Sequence, residues 1–248
     1  MIKVIDVFEK LNKRFPVGDA CDFDNVGILV GDKNAEVTGV LVSLDCTFSA
    51  IEKAKSIGAN LIITHHPVIF DPLKTVTENS VVYALIKSGV AVISMHTNLD
   101  VGKGGVNDLL CEKLGLKNVE KYPAGDGYLL NRAETDIKDP IALADDFKKR
   151  LGFPVRFVAG QSVKKLLVCS GSGGGYIADA ISGGFDGLVT ADVKQNQFVE
   201  AENAGILLFD CGHYASENIC VKPLADMIKS DFPGLSVDTF EPDFIKFN

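Results

Sequence analysis

The stretch VLVSLDCTFSAIEKAKSIGANLIITHHP, residues 40–67, contains the pattern that decides the fold. Its first run, VLVSLD, is short and apolar, which is typical of a buried parallel strand. The apolar residues that follow share one helical face: Ala50, Ile51, Ala54 and Ile57. Gly58 ends this helix and LIIT forms a second apolar run, so the stretch predicts a strand–helix–strand unit of a parallel α/β sheet.

The sequence on either side of this unit continues the same alternation. A helix is predicted from the spacing of Val4, Phe8, Leu11 and Phe15, and Pro16 ends it. The further elements predicted in this part are an apolar run at 26–30, a helix near 81–87, a strand at 90–94 and a helix from about residue 107.

A second α/β block begins near residue 125. Asp139-Pro140 predicts an N-cap with proline at the first helical position, and Gly152 predicts the end of that helix. Strands are predicted at 165–170, 187–190 and 206–210, with helices at 177–181 and near 197–203.

The two blocks resemble each other in the order and spacing of their elements. Residues 58–64 (GANLIIT) correspond to 184–190 (GFDGLVT), and the strands at 40–43 and 166–169 keep the same offset. We therefore predict an α/β fold made of two similar units, residues 1–124 and 125–248. The segment 236–248 is a candidate to pack on the first unit. The alternative is two unrelated α/β blocks that share only the features common to all such blocks.

Composition and charge exclude several classes of function. The net charge of −8 disfavours a nucleic-acid backbone as partner, and the small basic clusters at 148–150 and 164–165 are typical of solvated surface. No run of about 18 apolar residues is present to span a membrane, and the N-terminus lacks a signal-peptide pattern. The six cysteines form no CxxC pair, so we expect free thiols and a cytoplasmic protein.

The four histidines share one kind of position. Each follows the carboxyl end of a predicted strand: His65 and His66 after LIIT, His96 after VAVISM, and His213 shortly after ILLFD. Ligands of open α/β sheets bind beyond these strand ends. A single histidine is usually an ordinary hydrogen-bonded residue, but four in this position indicate a common site.

Two carboxylates accompany these histidines. Asp100 follows His96 by four residues and Glu217 follows His213 by four. If 213–217 begins a helix, this spacing places His213 and Glu217 on one face. Histidine and carboxylate ligands suit Zn, Mn, Fe or Ni. Five such candidates exceed what one catalytic metal usually takes, and suit two bridged divalent metals: His65, His66, Asp100, His213 and Glu217. His96 is assigned a supporting role.

Several nearby features leave alternatives open. Cys211 could join the metal ligands, although its neighbours predict a core position. The turn at 22–25 positions a substrate or caps a turn. The glycine-rich loop at 102–107 suits an anion but does not match a P-loop, and the loop at 170–175 predicts a tight turn between strand and helix rather than a dinucleotide fingerprint.

Together these residues resemble the GTP cyclohydrolase type 2-like, or Nif-three-like, family of dinuclear metal proteins. The matching motifs are Asp24-Asn-Val-Gly27, His65-His-Pro67, His96-Thr-Asn-Leu-Asp100 with Gly104-Gly-Val-Asn107, and Asp210-Cys-Gly-His-Tyr-Ala-Ser-Glu217. The resemblance covers nearly the whole chain. Two departures are Phe23, where the family usually has tryptophan, and the stretch 190–196, which lacks the family's histidine.

The resemblance implies two metals per subunit held by the five ligands, with Glu217 bridging them. It also implies a homohexameric ring with sites facing an inner cavity, and the chain is similar to the short form without an inserted third domain. Because three ligands lie in the first unit and two in the second, we expect the site in the cleft between the units.

The function that follows is a dinuclear metal-dependent hydrolase, with Glu217 and His96 as catalytic residues and His96 as proton shuttle. The family name implies GTP cyclohydrolase activity, in which the guanine imidazole ring is opened and formate is released. No residue in the sequence selects guanine, so a phosphoester or another small metabolite is an alternative substrate. A non-enzymatic metal-binding or regulatory ring is the alternative of a different class.

Overall fold

The computed structural model describes residues 1–242 and 244–245. The chain divides into two compact units, one formed by Met1–Lys103 with Cys220–Asn248 and the other by Gly104–Ile219. This division differs from the boundary expected after residue 124. Residues 104–124 belong with the second unit, and the C-terminal part of the chain returns to the first.

The first unit carries one sheet with helices on it. Its helices are α1 (Val4–Arg14), α2 (Phe48–Ser56), α3 (Val81–Ser88), α4 (Thr97–Val101) and α10 (Val221–Asp231), and its strands are β1 (Gly27–Val30), β2 (Val40–Ser43), β3 (Leu61–Thr64), β4 (Ala91–Ser94) and β11 (Val237–Phe240). A short 3-10 helix covers Val17–Asp19. The elements predicted from the sequence are present, whereas α4, α10 and β11 come from stretches without a prediction.

Three parallel strands form the centre of the first sheet. The strand order is β1-β4-β3-β2-β11, and only β1 runs antiparallel to its neighbour among the described strands. Val40 pairs with Leu61, and Thr64 pairs with Ser94. All three central strands therefore end level with one another, and the residues that follow them emerge at the same edge.

Apolar burial explains why β2, β3 and β4 are central. Every residue of these three strands is buried, and one face packs against α2 and α3 through a cluster that includes Leu41, Ile62, Val92, Ile51 and Leu85. Thr47 caps α2, because its side chain accepts a hydrogen bond from the Ala50 N–H. The strands are consequently a fixed platform for the polar residues beyond their ends.

The second unit repeats this arrangement. Its helices are α5 (Val106–Lys113), α6 (Pro140–Leu151), α7 (Ile177–Ser182), α8 (Gln195–Ala204) and α9 (His213–Glu217), and its strands are β5 (Lys117–Pro123), β6 (Leu129–Glu134), β7 (Arg156–Val158), β8 (Lys165–Val168), β9 (Gly187–Thr190) and β10 (Leu207–Asp210). Short 3-10 helices cover Gly174–Tyr176 and Asn218–Cys220.

The pseudo-repeat predicted from the sequence is confirmed by strand pairing. In the sheet order β5-β6-β8-β9-β10-β7, strands β8, β9 and β10 are parallel and the edge strand β7 is antiparallel to β10, as β1 is to β4. Leu166 pairs with Gly187, the same register as Val40 with Leu61. The sheets differ on the other side, where the β5–β6 hairpin replaces β11.

The caps predicted for α6 are also confirmed. The Asp139 side chain accepts hydrogen bonds from the N–H groups of Ile141 and Ala142, Pro140 is the first helical residue, and Gly152 ends the helix with φ of 68°. Two apolar clusters cover opposite faces of this sheet, because alternate residues such as Leu207 and Leu208 belong to different clusters. Among the described residues, no helix combines the length and apolar character that crossing a bilayer requires.

Candidate metal centre

Three histidines converge at the strand ends of the first unit. His65 and His66 follow β3 directly, and His96 precedes α4 after β4. Their ring centroids lie 5.0 to 5.7 Å apart. One nitrogen from each ring lies within 4.8 Å of one from each of the others, which is close enough for a shared metal ion.

Each of these histidines has its Nδ1 atom held by an acceptor. His65 Nδ1 lies 2.9 Å from the Met95 carbonyl oxygen, and His66 Nδ1 lies 2.7 Å from Asp45 Oδ1. His96 Nδ1 lies 2.9 Å from Asp24 Oδ1. An acceptor at Nδ1 places the proton there, so Nε2 carries the lone pair that can coordinate a metal.

Asp24 makes more hydrogen bonds than the capping of a turn requires. Its side chain is fully buried, and its second oxygen accepts hydrogen bonds from the N–H and the hydroxyl of Thr97. Burial alone would raise the pKa of Asp24, but the bonds from His96 and Thr97 outweigh it and lower the pKa to about 2. Asp24 is therefore a permanent carboxylate that fixes the His96 ring.

Asp100 completes the group of the first unit. It lies in α4 and is buried, with Oδ1 at 3.5 Å from His65 Nε2. The backbone N–H of Asp100 donates to the His96 carbonyl oxygen, so His96 is the N-cap of this short helix. Both residues of this predicted pair thus lie at the same strand end.

The second unit holds its own histidine–carboxylate pair. His213 and Glu217 are the first and last residues of α9, and His213 Nε2 lies 2.8 Å from Glu217 Oε2, as the spacing of four residues predicts. His213 Nδ1 lies 2.7 Å from Asp192 Oδ2. Asp192 has a positive φ of 52°, an uncommon conformation that turns the chain just after β9.

Two carboxylates raise the pKa of His213 in the metal-free protein. Burial alone would lower the pKa of this imidazole, but Glu217 and Asp192 on its two nitrogens raise it to about 9. A metal ion at His213 Nε2 must displace the proton that lies between this nitrogen and Glu217. Metal binding at this residue is therefore favoured by alkaline conditions.

A glycine makes room for the buried carboxylate of Glu217. Gly171 follows β8 with φ of +58°, and a Cβ atom placed on it would lie 2.1 Å from Glu217 Oε1. The loop is held by Thr190, whose hydroxyl donates to the Gly171 carbonyl and accepts from the Gly173 N–H. This loop is the tight turn expected from the sequence, and its backbone shapes the space around a candidate ligand.

Other residues singled out in the sequence have structural positions. Cys211 is completely buried in an apolar cluster, and burial raises the pKa of its thiol, in agreement with the core position predicted for it. Asn107 is also buried, and its Oδ1 accepts from the Ser170 N–H at 2.7 Å. Asp24, Asp45 and Asp192 were not predicted from the sequence as partners of the histidines. The feature that could have pointed to them is an aspartate in a turn or shortly after a strand.

The donor chemistry fits a metal centre. The first unit provides three imidazoles oriented through Nδ1 and one buried carboxylate, and the second provides one such imidazole beside a buried carboxylate. Metal-binding histidines in proteins almost always donate their other N–H to a carboxylate or carbonyl. Both groups have this property, so metal binding is consistent with each.

Comparison with known proteins identifies the family of the chain. The model of the Duf34/NIF3 (NGG1p interacting factor 3) family matches residues 2–246. Two relatives named GTP cyclohydrolase 1 type 2 homolog are similar: one from Clostridium perfringens is 33% identical over 87% of both chains, and one from Lactococcus lactis is 31% identical over 95% of both.

Solved structures agree with the fold. A hypothetical protein from Staphylococcus aureus is 29% identical with a TM-score of 0.89 over 99% of both chains. Reduced HcgD from Methanocaldococcus jannaschii is 27% identical with a TM-score of 0.83, over 96% of this chain and 97% of its own. Since the family match spans nearly the whole sequence and relatives above 30% identity align over most of their length, the chain belongs to the Duf34/NIF3 family.

Proposed function

We propose that this protein is a hydrolase that depends on two divalent metal ions. The residues proposed to hold the metals are His65, His66, Asp100, His213 and Glu217, and Zn, Mn, Fe and Ni would all suit this set. The observation that carries the proposal is that Nδ1 of each of the three ligand histidines faces an acceptor, because this orients Nε2 for coordination.

Residues of the chain would orient the metal-binding histidines and supply negative charge for such a reaction. Metal ions held there would supply an acidified water, with a pKa of about 7, and a Lewis acid for the electrophile. Asp45 and Asp192 hold the rings of His66 and His213 through hydrogen bonds of 2.7 Å. The buried carboxylates of Asp100 and Glu217 would offset the positive charge of the metals.

His96 is proposed as the proton shuttle rather than as a ligand. Its Nδ1–H donates to Asp24, so its Nε2 can accept a proton at the strand end and release it to solvent. A carboxylate on the far side of an imidazole stabilises the protonated ring, which is the role proposed for Asp24.

The substrate proposed first is GTP, with hydrolytic opening of the guanine imidazole ring and release of formate. The support is the name shared by the relatives from Clostridium perfringens and Lactococcus lactis. A phosphoester is the second substrate class, because a pair of metals with carboxylate ligands also suits phosphoester hydrolysis.

Elemental analysis of the purified protein tests the metal proposal. We expect two metal ions per chain, and a loss of metal in Asp100→Ala but not in Asp146→Ala, which removes a carboxylate paired with Arg150 on α6. Fewer than one metal per chain in the wild-type protein, unchanged by Asp100→Ala, would overturn the proposal.

Activity is tested separately on metal-loaded protein. GTP and a panel of phosphoesters are offered to the wild type, to Glu217→Gln and to the control Glu200→Gln on α8. We expect hydrolysis that only Glu217→Gln abolishes. Bound metal without turnover of any substrate would favour the non-enzymatic metal-binding protein instead.

The family resemblance also motivates a proposal about assembly and location. We propose a cytoplasmic homohexameric ring that acts on a small molecule and binds neither membrane nor nucleic acid. Light scattering on the purified protein should give six times the chain mass. A monomer or dimer at micromolar concentration would contradict the ring.

A further inference from the structure

Two aromatic side chains are exposed side by side in the first unit. Phe23 is 68% exposed and Phe70 is 45% exposed, and their ring centroids lie 6.2 Å apart with planes tilted by 54°. Single exposed apolar residues are ordinary on protein surfaces, whereas contiguous exposed apolar surface rimmed by polar residues marks interaction sites. The aromatic pair, Phe23 with Phe70, therefore needs an explanation.

The aromatic pair adjoins the histidine cluster. The ring of Phe70 meets that of His96 with centroids 6.2 Å apart and planes at 81°. Phe23 directly precedes Asp24, the carboxylate that binds His96. A molecule resting on the aromatic pair would consequently present its adjacent atoms to His96.

The segments that carry the aromatic pair are anchored to the same strand end. The Cys21 N–H donates to the Thr97 hydroxyl at 3.0 Å, and Asp24 accepts from Thr97 on the other side of Phe23. The Asn25 amide donates to the Ile69 carbonyl at 2.6 Å, next to Phe70. Hydrogen bonds thus anchor the backbone on both sides of Phe23 and next to Phe70 before any ligand arrives, which lowers the entropic cost of binding.

We propose that the aromatic pair is a stacking subsite for the planar heterocyclic base of a nucleoside or nucleotide substrate. Aromatic rings pack favourably on one another with centroids about 4.5–7 Å apart, and every base has a π face. The assignment rests on the proposed function, because it names the substrate class of the same site. It also favours a base-containing substrate over a simple phosphoester.

The composition offers a direct probe, because the chain contains no tryptophan. In Phe23→Trp the new indole is the only one and reports on the subsite. The matched control is Ile86→Trp, which is 61% exposed on α3 near the amino end of β4, at the opposite strand end from His96. Both variants are titrated with GMP and with ribose 5-phosphate, which lacks only the base.

We expect GMP to quench the fluorescence of Phe23→Trp in a saturable way. Ribose 5-phosphate should leave it unchanged, and Ile86→Trp should respond to neither compound. The proposal is overturned if GMP does not quench Phe23→Trp saturably, if ribose 5-phosphate acts equally well, or if Ile86→Trp is quenched to the same extent.

A second measurement uses truncation. Phe23→Ala and Phe70→Ala should each weaken GMP binding about tenfold or more, the size expected for a lost base–aromatic stack. Phe48→Ala, which truncates another exposed phenylalanine on α2, should not change the affinity. Unchanged affinity in Phe23→Ala and Phe70→Ala would overturn the proposal. A change of oligomeric state in these two variants would overturn it as well, because it would show that a second copy of the chain covers the aromatic pair.

Metal analysis of the same samples separates this inference from the proposed function. Saturable quenching in a protein that binds no metal would support the subsite and reject the metal-dependent hydrolase. Full metal content without quenching would reject the subsite and leave the hydrolase intact.

Discussion

The two units share a backbone arrangement and differ in the residues placed just beyond it. In each, three parallel strands are flanked by an antiparallel edge strand, with the same register between the first two parallel strands. In the first unit β3 is followed by His65 and His66, whereas in the second β9 is followed by Ala191 and Asp192. One strand end thus carries donors, and its counterpart carries a residue that supports a donor.

The supporting carboxylates show how the repeat has been used. Asp45 follows β2 and accepts a hydrogen bond from His66, which follows the neighbouring strand β3. In the second unit the position after β8 belongs to Gly171, and Asp192 holds His213 instead. Equivalent backbone positions therefore carry a candidate ligand, a carboxylate that orients a histidine, or a glycine that leaves room for Glu217. The strands themselves keep the same arrangement.

The largest effect is expected from Gly171→Ala, at the position of the second unit that corresponds to Asp45 in the first. The added Cβ would lie 2.1 Å from Glu217 Oε1 at a positive φ, so the carboxylate must move. We expect metal affinity to fall by roughly 100-fold, the upper end for a disturbed ligand support. Isothermal titration measures the loss, and Gly175→Ala is the matched control because nothing lies within 4 Å of its Cβ. Equal affinity in the two variants would contradict this account.

Removing the supporting carboxylates tests whether the two units contribute alike. Asp45→Ala and Asp192→Gly, the latter chosen because φ at this position is 52°, should each weaken metal binding roughly 10- to 100-fold. Competition with a chromogenic chelator gives the affinities. If only one variant weakens binding, the two strand ends are not equivalent, and if neither does, the hydrogen bonds at Nδ1 have no role in coordination.

The threonines that end β3 and β9 offer a smaller test on stability. The Thr64 hydroxyl donates to the His66 carbonyl, and the Thr190 hydroxyl bonds both ends of the turn at 171–173. Thr64→Val and Thr190→Val each remove two buried hydrogen bonds, which costs about 1–3 kcal/mol in the free energy of unfolding. Urea unfolding measures this, with Thr239→Val in the half-buried strand β11 as control. A loss no greater than in the control would show that these bonds are dispensable.

The smallest effect is a difference in pH dependence between the units, measured by thermal unfolding of metal-free protein. Asp24 has its pKa lowered to about 2, so its contribution is present above its ordinary pKa of 3.8 and is lost as the pH falls through 2. His213 has its pKa raised to about 9, so its contribution is complete below pH 6.5 and disappears as the pH rises through 9.

Variants assign the two limbs of that profile. Asp24→Asn should reduce the loss of stability in acid, and His213→Gln should reduce the loss between pH 6.5 and 9. If Asp24→Asn lost stability in acid as the wild type does, Asp24 would not be the cause of that loss. The same holds for His213→Gln between pH 6.5 and 9.

Much of the frame was predictable because local physics specifies it. The apolar runs that became β2, β3, β9 and β10 are buried along their whole length, and α6 carries its cap at Asp139 and its stop at Gly152. The hairpin strand β5 escaped prediction because most of its residues are exposed and lack apolar alternation. Its pairing with β6 is a tertiary contact that no short window of sequence reveals.

The sequence by itself determined the register of the repeat and the placing of every histidine beyond a strand end, since both follow from the order of apolar runs along the chain. Only the tertiary structure decided which carboxylate holds each ring: Asp24 lies 72 residues before His96, and Asp45 lies 21 before His66. It also decided that Gly171 must lack a side chain beside Glu217. These relations depend on distances of a few ångströms between segments far apart in the chain, and such distances exist only once the strands have paired.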